Sequence, residues 1–228
     1  MNDNKPVPIY LEIGTEKVFA SAVDWPGWSR WGRDEEGATL ALLEAGPRYA
    51  RVVKSSGLAF GEPAGVGQLE VSERVPGNST TDFGAPDRPH STDDNPVDNA
   101  ERERLQAILE ACWGTFERVV EAAQGKELRK GPRGGGRDLS QMVDHVTGAH
   151  ESYLKQLGWR PEGNDMGPLG QRVDRLRQAS IDGLAAGVAG KLPAEGPRGG
   201  KRWSPRYFVR RAAWHILDHV WEIEDRLV

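Results

Sequence analysis

Hydrophobic and polar residues follow two different spacings in the two parts of this chain. Near the N-terminus they alternate, and a Gly-Thr-Glu turn at residues 14–16 separates two such stretches. Alternation puts successive side chains on opposite faces of a strand, so the pattern predicts a hairpin of strands at 9–13 and 17–23. From about residue 97 onward the apolar residues recur every three or four positions, which indicates amphipathic helices.

The rest of the N-terminal part predicts one helix and one further strand. Asp34 can cap a helix that ends near residue 53, with a kink or break near Ala45 because a Gly-Pro step follows. A strand at 68–75 completes a small α+β unit. The loop at 24–32 contains three tryptophans, and we expect them to fill the small core rather than to form a binding surface.

A polar stretch follows this unit. Residues 76–96 are rich in Pro, Gly, Ser, Thr, Asn and Asp, a composition typical of a linker. We expect no packed element there, and we expect His90 to be exposed to solvent without a role. The stretch would separate a domain at 1–75 from a second domain at 97–228.

The second domain shows four amphipathic helical stretches of roughly twenty residues each. Their first residues or caps are Asp98 or Asn99, Asp138 with Gln141 as capping-box partner, Pro168, and Ser204. Four such helices predict a four-helix bundle, an architecture whose interior commonly holds metal sites. The expected fold class is therefore α+β, with a small sheet-and-helix domain followed by an all-α bundle.

The last helix carries the first candidate for chemistry. Ser204 can cap it, and Pro205 occupies its first turn, where a missing N–H group is tolerated. His215 and His219 lie four residues apart and project from the same side of the helix. Two imidazoles at this spacing can bind one metal ion, although two surface or packed histidines would give the same pattern.

A third histidine lies in the apolar seam of the second bundle helix. His150 and His215 each lie fifteen residues beyond a Gly-Gly step, and both steps belong to a GPRGG segment that recurs with an offset of 65 residues. If the two helix pairs are related by a pseudo-twofold, His150 converges with the pair on the last helix; two similar loops could also arise by chance. His145 is rotated about 140° from His150, so we expect it not to serve the same site.

Composition limits the classes of function. Hydrophobic residues make up 37% of the chain, no apolar run is long enough to span a bilayer, and the N-terminus lacks the pattern of a secretory signal. The single cysteine, Cys112, excludes an internal disulfide and favours a cytoplasmic location. Lys and Arg number 9 against 15 acidic residues in 1–96, and 21 against 19 in 97–228. Neither part has the basic excess of a nucleic-acid-binding protein.

The second domain resembles the DinB/YfiT-like family of four-helix metalloenzymes. The resemblance rests on HVTGAHESY at 145–153 and on HILDH at 215–219, and it covers residues 97–228. It implies a bound divalent metal ion, zinc first, with nickel, iron or manganese as alternatives. The family's three metal ligands fall on His150, His215 and His219.

The same resemblance implies further properties of the fold and the reaction. It leaves His145 open as an alternative to His150, because the neighbourhood of the first ligand varies among members. It implies an unusual helix order with a long crossover between the second and third helices, whereas the stretch at 159–167 is short. It also implies a small-molecule substrate and a low-molecular-weight thiol cosubstrate, used by an S-transferase or a thiol-dependent isomerase.

Charged residues near these motifs are candidates for supporting roles. Asp218 and Glu222 each follow a histidine of the last helix by three residues, and either could orient an imidazole. Arg210 and Arg211 are expected to form salt bridges along the flank of that helix. The two Gly-rich loops carry four arginines that could hold an anionic cosubstrate, or could be ordinary loop residues: Arg133, Arg137, Arg198 and Arg202.

The first domain resembles the HicB-like antitoxin fold, in which a short sheet precedes a D-x-P-G loop and an acidic helix start. The matching residues are Asp24, Pro26, Gly27, Gly32, Asp34, Glu35 and Glu36. This resemblance implies a module that pairs with another chain. The alternative function is therefore a non-catalytic metal-binding or interaction protein whose first domain recognises a partner, and a homodimer is one form that such pairing could take.

Overall fold

The computed structural model describes residues 5–130, 136–163 and 167–228, with the side chain of Arg198 also outside the described part. The fold is mixed α+β, with a four-stranded sheet and six α-helices among the described residues. The strands are β1 (Val7–Ile13), β2 (Val18–Ala22), β3 (Ser29–Gly32) and β4 (Leu69–Pro76). The helices are α1 (Glu35–Val53), α2 (Ser79–Phe83), α3 (Asn99–Ala123), α4 (Leu139–Leu157), α5 (Leu169–Val188) and α6 (Pro205–Arg226).

The sheet has the strand order β3-β2-β1-β4. The predicted hairpin is confirmed, because β1 and β2 pair antiparallel with Ile13 opposite Val18. The predicted strand at 68–75 is also confirmed as β4, which pairs parallel with β1. β3 was missed, since the tryptophan-rich loop that precedes α1 ends in this short strand. The sheet therefore has an additional edge strand, β3, that the alternation of hydrophobic and polar residues did not predict.

The sequence predicted the start of α1 but not its continuity. Asp34 caps the helix through its side chain, as expected. No break occurs near Ala45: Pro47 lies inside one continuous helix, whose buried residues on both sides of the proline pack into the core. Trp28 is fully buried, whereas Trp31 is 48% exposed. The prediction that the loop tryptophans fill the core holds for Trp28 and not for Trp31.

The stretch at 76–96 is packed, which corrects the prediction of a linker without elements. It contains α2 and a short 3₁₀ turn. The buried carboxylate of Glu12 accepts hydrogen bonds from the backbone N–H groups of Asp87 and Arg88 and so holds this stretch against the sheet. His90 is only 6% exposed, contrary to expectation. Polar residues that indicated a linker serve instead as helix caps and buried hydrogen-bond partners.

The sheet-containing part and the long helices pack directly against each other through α6. Arg210 forms a buried ion pair with Asp93 at 2.8 Å and donates to the carbonyl of Ala22 at 2.8 Å. Gly27 has a φ of 93°, and a Cβ atom there would lie 3.1 Å from that of Ala213. The salt bridge predicted for Arg210 is therefore present, but it is buried between the two parts.

The four long helices share one apolar core, and their predicted caps at Asp98, Asp138 and Ser204 are confirmed. α3 packs against α5 and α6, and α4 packs against the same two helices. Arg206 at the start of α6 pairs with Glu101 at the start of α3, which indicates that these helices run parallel. No helix among the described residues combines the length and apolar character needed to span a bilayer.

α4 and α5 also run parallel, although they are consecutive. Asp144 and Arg172, near the two helix starts, form an ion pair at 2.8 Å. Trp159, just beyond the end of α4, would contact a Cβ atom at Gly183 in the last part of α5. The last turn of α4 and the first turn of α5 therefore lie at opposite ends of this helix pair.

Candidate metal centre

Two helices bring three histidines together. α6 carries His215 and His219 one turn apart, and α4 contributes His145 from its second turn. Tyr153, farther along α4, packs against Trp203, which precedes α6, with ring centroids 5.3 Å apart. The helices are thus antiparallel, so the start of α4 faces the later turns of α6, where the histidine pair lies.

The geometry of the three rings suits a metal ion. The Nε2 atoms of His145 and His215 are 3.2 Å apart. Each of the three histidines offers one nitrogen, and these nitrogens all lie within 4.8 Å of one another. Zinc–nitrogen bonds of about 2.0–2.1 Å at a tetrahedral angle put two ligating nitrogens about 3.3–3.4 Å apart. The His145–His215 pair is already at that separation, and the third nitrogen needs only a small approach.

His150 does not belong to this cluster, which corrects the prediction made for it. Its Nε2 lies 2.6 Å from Oγ of Ser180 on α5. Its ring packs edge-on against Trp113, with centroids 4.8 Å apart, and the residue is 1% exposed. A buried imidazole needs a hydrogen-bond partner, and here a serine hydroxyl supplies it.

The rotation between the two histidines of α4 explains the correction. Five residues turn a helix by about 140°, so the two side chains point to different neighbours. The apolar seam containing His150 faces α3 and α5, whereas His145 lies at the border of that seam and faces α6. The repeat of 65 residues relates His150 to His215 in the sequence but does not bring their rings into one cluster.

Burial favours the neutral form of two rings of the cluster, those of His145 and His215. Burial, together with His219 and Arg137, lowers the pKa of His145 to about 4. Burial lowers the pKa of His215 well below its usual range, and the two neighbouring histidines add to this shift. Metal ions bind neutral imidazole, so these two rings are in the required protonation state at neutral pH.

Glu222 orients one ring of the cluster. His219 donates from Nδ1 to the Glu222 carboxylate at 3.0 Å, which leaves its Nε2 free for the cluster. Arg226 donates to the other carboxylate oxygen at 2.8 Å and also to the carbonyls of Arg129 and Arg137. The hydrogen bond from His219 is the main reason that the pKa of Glu222 is lowered. A carboxylate on the second nitrogen is the usual support of a metal-binding histidine.

Asp218 has a different role from the one proposed for it. Its carboxylate pairs with Arg30 of β3 at 3.4 Å, on the side of α6 that faces the sheet. No hydrogen bond joins it to His215 among the described residues. Of the two acidic residues that could orient an imidazole, only Glu222 does so here.

The four loop arginines do not form one site in the described part of the chain. Arg133 lies outside the described residues, and so does the side chain of Arg198. Arg137 precedes α4 and influences His145 electrostatically. Arg202 lies at the other end of α4, where its Cδ would be 3.0 Å from a Cβ atom at Gly158. A helix length of about 28 Å separates these two ends.

The cluster offers three imidazole nitrogens as ligands, one of them on a ring oriented by a carboxylate, and a half-buried His145 through which solvent can reach it. This arrangement can bind a divalent ion while leaving coordination positions to other molecules. Comparisons with models of known protein families, with curated proteins and with solved structures find no match to this chain. The resemblances drawn from the sequence motifs therefore stay predictions.

Proposed function

We propose that this chain is a metal-dependent enzyme of the DinB-like type that activates a low-molecular-weight thiol, as an S-transferase or a thiol-dependent isomerase. The observation that carries the proposal is the convergence of His145, His215 and His219 from two helices within 4.8 Å. Three histidine ligands with open positions are typical of catalytic rather than purely structural zinc sites.

The helix arrangement supports a four-helix bundle of the unusual order that the resemblance implies. Parallel packing of α4 and α5 requires a crossover between them. Eleven residues separate Leu157 from Leu169, and an extended chain of that length reaches about 36–40 Å. The 19 residues of α4 span about 28 Å. The connection that looked short in the sequence is long enough.

The residues at the cluster have different roles in the proposed reaction. When bound, a divalent ion lowers the pKa of a thiol or water that it contacts, which supplies a nucleophile near neutral pH. His145 and His215 provide neutral donors, and Glu222 fixes the ring of His219. Of the two loop arginines whose side chains the structure describes, Arg137, whose charge reaches His145, is the one placed to attract an anionic cosubstrate.

The donor set favours zinc, because three imidazoles and an open position are common for that ion. Nickel, iron and manganese also accept imidazole, and affinity order alone does not choose among them. The metal that the protein retains through purification without chelators, measured by elemental analysis, identifies the ion.

Two measurements test the proposal. Elemental analysis should find about one divalent ion per chain, and His215→Ala should lose it. Conjugation of glutathione or cysteine to a chromogenic electrophile should stop on chelation and return when the metal is restored. Turnover that survives complete metal removal contradicts the proposal. Metal binding without any thiol turnover would instead favour the non-catalytic alternative, in which the ion is structural.

A further inference from the structure

Two rows of side chains meet between the antiparallel helices α4 and α6. Residues four apart share one face of a helix, so each row follows one helix face. The α4 row is His145, Ala149 and Tyr153, and the α6 row is His219, His215 and Arg211. The histidine cluster lies at one end of these rows, and a phenol and a guanidinium lie at the other end.

Ring contacts place Arg211 beside the cluster. The ring centroids of Tyr153 and His215 are 5.6 Å apart, and Cζ of Arg211 lies 5.5 Å from the Tyr153 centroid. The same Cζ lies 5.2 Å from the ring of Trp214, so two aromatic rings hold the guanidinium. The charge of Arg211 also adds to the lowering of the pKa of His215, after burial and the two neighbouring histidines.

Arg211 is buried without an acidic partner, which differs from the salt bridge expected from the sequence. It is 6% exposed, and its one hydrogen bond in the described part of the chain runs from Nη1 to the carbonyl of Pro86. Asp87, whose charge reaches Tyr153, accepts from the Asn78 amide at 2.8 Å and forms no ion pair among the described residues. A buried charge is costly unless it is paired, and an anion from outside the fold would remove that cost.

The α4 row leaves this region open to a ligand. His145, Ala149 and Tyr153 are each half-buried, and the middle residue has only a methyl side chain. The hydroxyl of Tyr153 forms no hydrogen bond with any residue that the structure describes. A ligand lying along this row therefore has the imidazole nitrogens at one end and a free phenol and a guanidinium at the other.

We propose that Arg211, together with the hydroxyl of Tyr153, binds the carboxylate of the thiol cosubstrate, so that the thiol sulfur reaches the histidine cluster. This inference rests on the proposed function and names the class of its cosubstrate, a small thiol that carries a carboxylate. A guanidinium binds a carboxylate through charge-assisted hydrogen bonds, and the phenol adds a further donor. Arg211 is then a specificity-determining residue of the site.

Cobalt gives a spectroscopic measure of this binding that does not depend on turnover. A thiolate bound to the Co²⁺-substituted full chain produces a charge-transfer band, which can be titrated with 3-mercaptopropionate and with its neutral methyl ester. The acid should bind about 10- to 100-fold more tightly than the ester, the range expected of hydrogen bonds between charged groups. Equal affinities for the two thiols overturn the proposal, whether or not any variant folds.

Two variants show whether Arg211 or the metal ion causes that preference. Arg211→Met should bind both thiols alike, with its affinity for the ester unchanged. Arg118→Met is the matched control, because Arg118 is an exposed arginine of α3 that bonds to Thr115 and to no acidic residue in the described part of the chain. It should keep the preference for the acid.

The outcomes separate this inference from the proposed function. A preference for the acid that survives in Arg211→Met overturns the inference and leaves a metal-dependent thiol enzyme standing. A charge-transfer band with neither thiol contradicts the proposed function and this inference together. Tyr153→Phe, which keeps the ring but removes the hydroxyl, should reduce the preference by about three- to tenfold.

Discussion

The two sides of α6 differ in how their polar side chains are paired: arginines on the sheet side are bound within the fold, whereas imidazole nitrogens on the α4 side are available as ligands. Toward the sheet, Arg210 is saturated by Asp93 and two carbonyls, and the ring of Trp221 is covered by Arg30 at 3.7 Å. Toward α4, His215 and His219 face another histidine, and within the described part of the chain Nδ1 of His219 is the one nitrogen of this pair that bonds to a carboxylate.

This contrast separates a packing surface from a site. Side chains whose hydrogen-bonding capacity is consumed inside the fold mainly stabilise it. The facing nitrogens of His145 and His215 can share one N–H hydrogen between two neutral rings, or both can donate their lone pairs to a cation. The two histidines of α4 also differ in their neighbours, because Nε2 of His150 bonds to the Ser180 hydroxyl while His145 faces the pair on α6.

The largest expected effect is a loss of stability at the ion pair on the side of α6 that faces the sheet. Asp93→Ala leaves the buried guanidinium of Arg210 without its carboxylate and should lower the free energy of unfolding by about 3–5 kcal/mol. Asp94→Ala is the matched control, because its partner Lys201 is exposed, and it should change stability by less than about 1 kcal/mol. Urea unfolding measures both variants. Similar small losses would mean that the buried ion pair does not fasten α6 to the sheet.

The next effect tests the two histidines of α4 against each other. His145→Ala should weaken metal binding by more than about 100-fold, since a ligand counts for more than a supporting residue. His150→Ala should leave the metal affinity unchanged within about threefold but destabilise the fold by about 2–4 kcal/mol, because it leaves a cavity in the core. Competition with a chromophoric chelator measures affinity. The opposite pattern would restore His150 as the ligand.

Lowering the pH should destabilise the fold through the buried His150. Burial lowers the pKa of His150 to about 3, so below its unfolded value of about 6.5 the unfolded chain binds more protons than the folded one. Stability is therefore complete above pH 6.5 and falls as the pH decreases toward 3. Between pH 7 and pH 5 this residue should account for a loss of about 2 kcal/mol.

His150→Gln provides the comparison for that pH dependence. Glutamine can keep a hydrogen bond to Ser180 but does not titrate. Chemical unfolding of both proteins at pH 7 and pH 5, after metal removal, should show a smaller pH-dependent loss in the variant. An equal loss in both proteins would assign the acid sensitivity to other groups.

The smallest effect concerns the carboxylate behind the cluster. Glu222→Gln keeps an acceptor for His219 but removes the charge, and it should weaken metal binding by about tenfold. Asp218→Asn should leave the affinity unchanged, because Asp218 pairs with Arg30 on the other side of α6. Both affinities can be measured by the chelator competition. A larger effect of Asp218→Asn would show that the wrong acidic residue has been assigned to the site.

Local sequence signals predicted most of the elements and their starts. The caps at Asp34, Asp138 and Ser204 lie where expected, because a cap depends on side chains within three residues of the helix start. The stretch at 76–96 was misjudged because its polar residues have distant partners: Glu12, far away in the sequence, holds the backbone of this stretch. Composition describes a residue's own polarity and not the partner that satisfies it.

The sequence by itself determined the two spacings of apolar residues, the helix caps and the pair of His215 and His219 on one side of a helix, since each depends on neighbours along the chain. Only the tertiary structure decided between His145 and His150, and whether Arg210 would be solvated or buried. The reason is that a helix presents several faces, and the order in which helices and sheet pack chooses which face meets which neighbour. That order depends on contacts between residues far apart in the sequence, which no local pattern contains.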